Sequence, residues 1–314
     1  MGVLINMLRI RRVEFRLAEI PIILLPVLIS LNGRHIQDWT AVWLGAVVFG
    51  FLFAFGDMIN CLADRDLDAR YKKHLSSAVY SLGLPFVKAQ IALSASAALG
   101  LGGYLAIRLG HPTIFLLVFL GLLLGAGYSV EPVRFKRRGL LQLICLWLII
   151  FVGPMMLVAM FVSPQLPLAT LGFAAAYGAF QMGVILVNTA EDYPEDLEAG
   201  IRNTIVALGL KRGIALAMAL AVAGGLALLA TFFLLFLSQS GTSLWMASIF
   251  LPLFAVTWVI LSIGRLSVGL RGLSLDDAVL AVKAAAKSVP LWIASVAWSS
   301  TVTAWALWHV ASQQ

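Results

Sequence analysis

The chain has 314 residues, of which 61% are hydrophobic and only 12% are charged. This apolar content exceeds what a soluble core of that length needs, so the composition excludes an ordinary water-soluble protein and predicts an integral membrane protein. The net charge of +7 does not indicate a nucleic-acid partner, because Lys and Arg in cytoplasmic loops and contacts with anionic lipid headgroups explain it.

Nine apolar segments are each long enough to cross a bilayer as a helix, which takes about 20 mostly apolar residues. None of them alternates with the period of two that a membrane barrel requires. No linker of distinct composition divides the chain, so residues 1–314 are expected to form one membrane domain. The predicted spans are 14–32, 38–60, 87–108, 112–130, 139–162, 168–190, 213–238, 243–263 and 288–310.

The distribution of charge predicts the topology of these spans. Of the 22 Lys and Arg residues, only Arg34 and Arg108 fall outside the N-terminal segment and the loops that follow even-numbered spans. The positive-inside rule therefore places the N-terminus and these loops in the cytoplasm, and nine spans place the C-terminus on the opposite side. Of the 15 acidic residues, only Asp38 lies on that opposite side, so acids and bases are concentrated at the same face.

The second span leads into three side chains suited to binding a metal ion, Asn60, Asp64 and Asp68. At a four-residue spacing each helical step turns about 400°, so the three side chains drift only about 40° per step and share one face. Asp57 lies three residues before Asn60. It either faces the same cavity as these three side chains or is an interfacial carboxylate in contact with water.

The next two cytoplasmic loops carry basic residues. Residues 69–83 are long enough for a short helix, and Lys72 and Lys73 are candidates to contact phosphate oxygens, with Lys73 the one selected as a site residue. After the fourth span, Pro132 and Gly139 interrupt helix around a basic cluster that contains Arg134 and Lys136. These two residues are also phosphate candidates.

The first pattern is repeated at the end of the sixth span, where Asn188, Asp192 and Asp196 have the same spacing and are expected to form a second stripe along one face of a helix. Gly200 and Thr204 follow and predict a tight loop. Later, residues 274–287 begin with Ser274 and two early acids, which predicts a short amphipathic helix with Ser274 as its N-cap.

Oxygen ligands at a membrane face suit Mg²⁺, which binds through a few carboxylates, waters and substrate phosphates. Carboxylates clustered there are costly unless they are hydrated, paired or bound to cations. A diphosphate held at the mouth of an apolar helical cavity implies a lipid-like tail in that cavity. Neutralising the departing diphosphate allows the carbon–oxygen bond to ionise, which favours prenyl transfer or cyclisation of the same cation.

At these residues the chain resembles the UbiA superfamily of intramembrane prenyltransferases, which includes 4-hydroxybenzoate polyprenyltransferase. The family's Asn-x3-Asp-x3-Asp pattern falls on Asn60, Asp64 and Asp68, and its Asp-x3-Asp pattern falls on Asp192 and Asp196. The Gly and Thr that follow correspond to Gly200 and Thr204. Tyr128, Ser129, Pro132 and Lys136 match a further family loop loosely, and Arg12 resembles an Arg that precedes the first span.

This resemblance implies an all-α fold of nine transmembrane helices around a central cavity, capped by the cytoplasmic loops that carry the motifs. It implies Mg²⁺-dependent transfer of an isoprenyl group from an allylic diphosphate to an aromatic or other lipophilic acceptor. Asp64, Asp68, Asp192 and Asp196 would be catalytic and would bind the metal with Asn60 and Asn188. Arg12, Lys73, Tyr128, Arg134 and Lys136 would bind the diphosphate.

Two positions depart from the family pattern: Cys61 stands where many members have Asp, and Glu131 precedes Pro132 where many have a second Pro. Both bear on the identity of the acceptor. An intramembrane terpene cyclase acting on farnesyl or geranylgeranyl diphosphate has the same motifs and remains an alternative. A cation transporter is a third reading, but the acids lie at one membrane face and no pair of broken helices is evident.

Overall fold

The computed structural model describes residues 2–13, 16–31, 33–163, 168–237 and 248–313, which form helices and no strands. In chain order the helices are α1 Gly2–Ile10, α2 Arg16–Leu31, α3 Trp39–Tyr71, α4 Lys73–Leu82, α5 Leu84–Leu109, α6 Pro112–Ser129, α7 Leu140–Leu146, α8 Gly153–Val162, α9 Leu168–Glu191, α10 Tyr193–Glu198, α11 Thr204–Leu208, α12 Leu210–Leu237, α13 Phe250–Gly269, α14 Leu275–Ala286 and α15 Val289–Ala311. A π-helical turn, Trp147–Val152, joins α7 to α8 in one apolar rod. The all-helical, multi-pass membrane prediction is thereby confirmed.

Among the described helices, seven are long and apolar enough to cross a membrane: α3, α5, α6, the α7–α8 rod, α9, α12 and α13. An eighth span is possible if α14 and α15 are counted together, because the pair passes the same criterion despite a 42° bend. The predicted count of nine is not confirmed. The segment predicted as the first span corresponds to α2, which has 16 residues and contains Pro21 and Pro26. Residues 14, 15, 32, 238 and 243–247 of the predicted spans lie outside the described ranges.

Helix α9 lies at the centre of the bundle, and most of its residues are buried. It packs backbone to backbone against α12, because both helices have glycine at the contact. A Cβ atom on Gly224 would lie 2.3 Å from the backbone nitrogen of Phe180, and one on Gly183 would lie 2.6 Å from the Ala217 carbonyl oxygen. Such close approach fixes the position of α9, whose last turn carries Asn188, the first residue of the second motif.

The first motif lies within α3. This helix begins after Asp38, whose side chain accepts a hydrogen bond from the Ala41 amide at 3.0 Å, and it continues past the predicted end of the span to Tyr71. Asn60, Asp64 and Asp68 therefore lie on consecutive turns of one helix, as the spacing predicts. The short helix predicted within residues 69–83 is α4.

The second motif departs from the predicted stripe along one helix. Helix α9 ends at Glu191, Asp192 lies between helices, and the short helix α10 contains Asp196. The physical reason is Pro194 at the second position of α10, which has no amide hydrogen to continue the α9 hydrogen-bond ladder. The prediction of a helix within residues 274–287 is confirmed: α14 starts after Ser274, whose hydroxyl accepts from the Asp277 amide at 3.2 Å.

Candidate active site

A cavity of about 170 Å³ lies between the end of α3 and the junction of α9 with α10. Most of its lining is polar or charged. The lining residues are Arg12, Asn60, Leu67, Asp68, Tyr71, Lys72, Tyr128, Lys136, Gln142, Asn188, Thr189, Asp192, Glu195, Asp196 and Asn203. The structure therefore brings side chains from both acidic motifs and from the basic loops to one cavity, although the motifs are more than 100 residues apart in the sequence.

Asp64 is the most buried of the motif carboxylates, with 2% of its surface exposed. Its two oxygens each meet a different cation: Arg134 donates to Oδ1 at 3.0 Å, and Lys136 donates to Oδ2 at 2.5 Å. Removing a carboxylate from water is costly, and two charge-assisted hydrogen bonds offset that cost. The two cations thus hold the Asp64 carboxylate in place beside the cavity.

The loop after α6 places both cations on the same carboxylate. Arg134 has a left-handed backbone with a φ of 37°, and residues Phe135–Arg137 form a 3₁₀ turn that follows it. This turn allows side chains two positions apart to reach one acceptor, which an α-helix would not allow. Nearby, the buried Ser129 hydroxyl donates to Asn60 Oδ1 at 3.2 Å and orients the first side chain of the α3 motif.

Each acidic side chain of the second motif has a partner from a different segment. Lys72 Nζ lies 2.9 Å from Asp192 Oδ2, and Asn203 Nδ2 donates to Asp196 Oδ2 at 2.5 Å. Burial raises the pKa of Asp196 to about 6; the Asp192 carboxylate also raises it, while Lys136 opposes the shift. Neighbouring carboxylates that repel one another in this way are a natural binding place for a cation.

The predicted site residues do not all reach the cavity. Arg12, Tyr128 and Lys136 line it, whereas Asp64 and its partner Arg134 are not among the lining residues. Lys73 is exposed and does not line it, whereas the adjacent Lys72 does. Asp57 is absent from the lining, because it forms an ion pair with Arg16 at 2.9 Å.

Cys61 also faces away from the cavity. Its side chain is 1% exposed and packs in an apolar cluster with residues of α1 and α4, among them Ile10, Leu75 and Val79. A cysteine suits this position, because a carboxylate there would be buried among apolar side chains.

Gln142 and Asn203 belong to neither motif, and the structure places both on the cavity wall. Gln142 Oε1 accepts hydrogen bonds from the Thr204 amide at 2.8 Å and the Thr204 hydroxyl at 3.0 Å, and its Nε2 donates to the Tyr128 hydroxyl at 3.4 Å. The Thr204 hydroxyl also lies 2.9 Å from the Gly139 carbonyl oxygen, so its single proton is shared between the two acceptors. One amide thus joins the loop after the second motif to Tyr128. A signal was present in the sequence, since Gln142 is an isolated amide in an apolar span.

We expect Gln142→Leu to lower the free energy of unfolding by about 1–3 kcal/mol, because the Thr204 amide would lose its partner in a buried place. The measurement is thermal unfolding in detergent. Leu141→Ala is a suitable control, since Leu141 is exposed on the same helix. An unfolding midpoint for Gln142→Leu equal to that of the control would contradict this account of the network.

The chemistry of the donors fits Mg²⁺ better than zinc. The carboxylates and amides of both motifs supply only oxygen ligands, which is the set that Mg²⁺ prefers. Within the described ranges, no three His, Cys, Asp or Glu residues are close enough to form a complete metal cage by themselves. Mg²⁺ does not need such a cage, because it commonly keeps waters and shares the phosphates of its substrate.

Comparison with known proteins gives a consistent result. The sequence profile of the UbiA prenyltransferase family matches residues 20–266. Among solved structures, one described as digeranylgeranylglyceryl phosphate synthase has a TM-score of 0.68 at 16% identity, covering 97% of this chain and 99% of the other. A search of curated protein sequences gives no match.

Two archaeal UbiA homologues have the same fold. The Archaeoglobus fulgidus protein, solved with GPP and Mg²⁺, has a TM-score of 0.61 at 18% identity over 97% of this chain and 100% of that chain. The Aeropyrum pernix K1 protein, in its apo form, has a TM-score of 0.60 at 18% identity over 88% of this chain and 97% of that chain. Because the family profile covers well over half of the sequence, this chain belongs to the UbiA prenyltransferase family.

Proposed function

We propose that this protein transfers an isoprenyl group from an allylic prenyl diphosphate to an aromatic or other lipophilic acceptor, with Mg²⁺ as its cofactor. The observation that supports this most strongly is the single cavity at which both acidic motifs meet Lys72 and Lys136. An anionic, metal-bound headgroup matches that mixture of charges better than an uncharged ligand does. Structures of the Archaeoglobus fulgidus homologue with GPP or DMAPP and Mg²⁺ support the assignment.

In this proposal Asn60, Asp64 and Asp68 form one half of the metal site, and Asn188, Asp192 and Asp196 form the other. Bound Mg²⁺ would act as a Lewis acid that neutralises the diphosphate oxygens. The catalytic role of the four Asp residues would be to hold Mg²⁺ at the end of the cavity where the diphosphate departs.

The basic residues would bind the diphosphate itself. Lys136 and Lys72 line the cavity and already contact the motif carboxylates, so a small movement of either ammonium group would reach a phosphate oxygen. Arg134 lies behind Asp64 and would stabilise the headgroup at longer range. Arg12 and Tyr128 lie on the cavity wall and can donate hydrogen bonds to the same oxygens. We assign no diphosphate contact to Lys73, because it is exposed away from this wall.

The carbon–oxygen bond would break heterolytically, with the electron pair leaving on the diphosphate and an allylic cation remaining. A nucleophilic carbon or oxygen of the acceptor would then form the new bond and lose a proton. If no acceptor is bound, attack by a double bond of the same chain gives cyclisation, which is the alternative reaction.

The test is product analysis with the purified protein in lipid nanodiscs. Geranyl, farnesyl and geranylgeranyl diphosphates are supplied with Mg²⁺, either alone or with an extract containing lipophilic acceptors. We expect diphosphate release that EDTA abolishes and that requires an acceptor. Release without an acceptor, together with a cyclic hydrocarbon detected by mass spectrometry, would replace the transferase with the cyclase. No Mg²⁺-dependent release under any of these conditions would refute both reactions.

A further inference from the structure

Glu195 has a position in the second motif that the family pattern does not assign. It lies between Asp192 and Asp196, lines the cavity, and forms an ion pair with Lys283 in which Nζ and Oε1 are 2.9 Å apart. Its other oxygen, Oε2, is buried and accepts no hydrogen bond from the described residues. The side chain is thus held at the cavity edge by a lysine 88 residues further along the chain.

Lys283 is presented by a helix that is packed firmly against the bundle. Helix α14 buries Ala278, Val282 and Ala286, which are spaced four residues apart and form its apolar face against the rest of the bundle. The segment before this helix is attached separately, because Lys211 donates to the Leu273 carbonyl at 2.6 Å. The backbone of α14 therefore does not depend on the Lys283 ion pair, so a substitution of this lysine leaves the helix in place.

Helix α10, which carries Glu195, has few stabilising interactions of its own. Helix α10 has six residues, and its N-cap residue, Asp192, makes no capping hydrogen bond through its side chain. Helices this short are not stable without tertiary contacts. Three outside segments reach its acidic side chains: Lys72 at Asp192, Asn203 at Asp196 and Lys283 at Glu195.

We propose that Lys283 is a positioning residue that orders α10 and so fixes the second acidic motif for metal binding. The proposal rests on the proposed function for its biological meaning. The ion pair from Lys283 limits the motion of the α10 backbone. Because α10 is held in this way, the carboxylates of Asp192 and Asp196 keep their spacing. Lys283 itself does not line the cavity.

The first experiment measures backbone order without any reaction. Wild type, Lys283→Met, Lys283→Arg and Lys287→Met are compared in nanodiscs by hydrogen–deuterium exchange of residues 192–204. The reporting amides are those of Asp196 and Ala199, which donate within this turn at 2.8 and 3.0 Å. Lys287 is the matched control, since it lies one turn later with its side chain exposed.

We expect these amides to exchange up to about fivefold faster in Lys283→Met, a size set by the usual strength of a partly exposed ion pair. Lys283→Arg keeps the charge and is expected to remain near wild type. Equal exchange in Lys283→Met and Lys287→Met would overturn the proposal. A double variant with Glu195→Lys and Lys283→Glu restores the pair with reversed charge, and it should return exchange toward the wild-type rate even if the single variant is poorly folded.

The second experiment titrates Mn²⁺, used as the probe for the divalent site, by electron paramagnetic resonance. Half-saturation is expected at up to about fivefold higher Mn²⁺ in Lys283→Met than in Lys287→Met. An unchanged half-saturation would overturn the link between α10 order and metal binding. Failure of the proposed reaction is a separate result, because it would appear as absent diphosphate release in wild type while these two measurements still decide the role of Lys283.

Discussion

Replacing Asp64 with Asn is expected to lower kcat/KM for diphosphate release by more than about 100-fold. Changes in residues that only support a metal ligand cost about 10- to 100-fold, and Asp64 is proposed as a ligand itself. The two Asp64 oxygens form ion pairs with Arg134 and Lys136, so one substitution disturbs both the proposed metal ligand and the cations next to it. The measurement is steady-state release of diphosphate at saturating Mg²⁺.

Asp64→Asn is also expected to lower the free energy of unfolding by up to about 3 kcal/mol. Breaking a buried ion pair from one side costs about 3–5 kcal/mol, and the lower figure applies because Arg134 and Lys136 are 14% and 20% exposed. Thermal unfolding therefore accompanies the kinetic measurement. Asp66→Asn is the matched control, since Asp66 lies on the same helix with 68% of its side chain exposed. If Asp64→Asn and this control had the same kcat/KM, Asp64 would not be part of the site.

Replacing Lys136 with Met is expected to reduce kcat/KM by roughly 100-fold, because a positive charge aimed at developing negative charge in a partly enclosed site has a large effect. Lys136 is suited to that role since it lines the cavity while its ammonium group contacts Asp64. The folded state should be affected less than by Asp64→Asn, because Arg134 still neutralises the carboxylate.

The two roles of Lys136 can be separated by inhibition with inorganic diphosphate. If Lys136 binds the headgroup, its loss weakens inhibition by diphosphate as well as turnover. Arg137→Met is the control, because Arg137 is adjacent in the chain, carries the same charge and is exposed. Undiminished inhibition in Lys136→Met would show that the lysine only supports Asp64.

The sequence predicted well which side chains share a helical face and where a helix begins, because both depend on local spacing. Four-residue spacing places Asn60, Asp64 and Asp68 on one helical face whatever surrounds the helix. The Ser274 cap of α14 is a similarly local interaction. The break in the second stripe was also readable, since Pro194 follows Asp192 by two residues and cannot continue a hydrogen-bond ladder. The prediction of one stripe was wrong there, because four-residue spacing keeps side chains on one face only while the helix continues.

The partners of the acidic motifs did not follow from spacing. Lys72 and Lys73 are adjacent and equally basic, and the choice between them depends on how the chain turns between α3 and α4, where Lys72 has φ of −125° and ψ of 56°. Likewise, Arg134 and Lys136 meet on Asp64 because of one left-handed residue and a 3₁₀ turn. Hydropathy did not establish the span count either, since α2 is short and α15 meets the criterion only together with α14.

The sequence by itself determined that this is a helical membrane protein with two oxygen-rich motifs, because apolar length and helical spacing are properties of short segments. Only the tertiary structure decided which side chains surround those motifs. Gln142 and Lys283 reach their partners across 62 and 88 residues. Contacts at such distances depend on the packing of helices such as α9 and α12, where the approach of two backbones decides which polar groups meet.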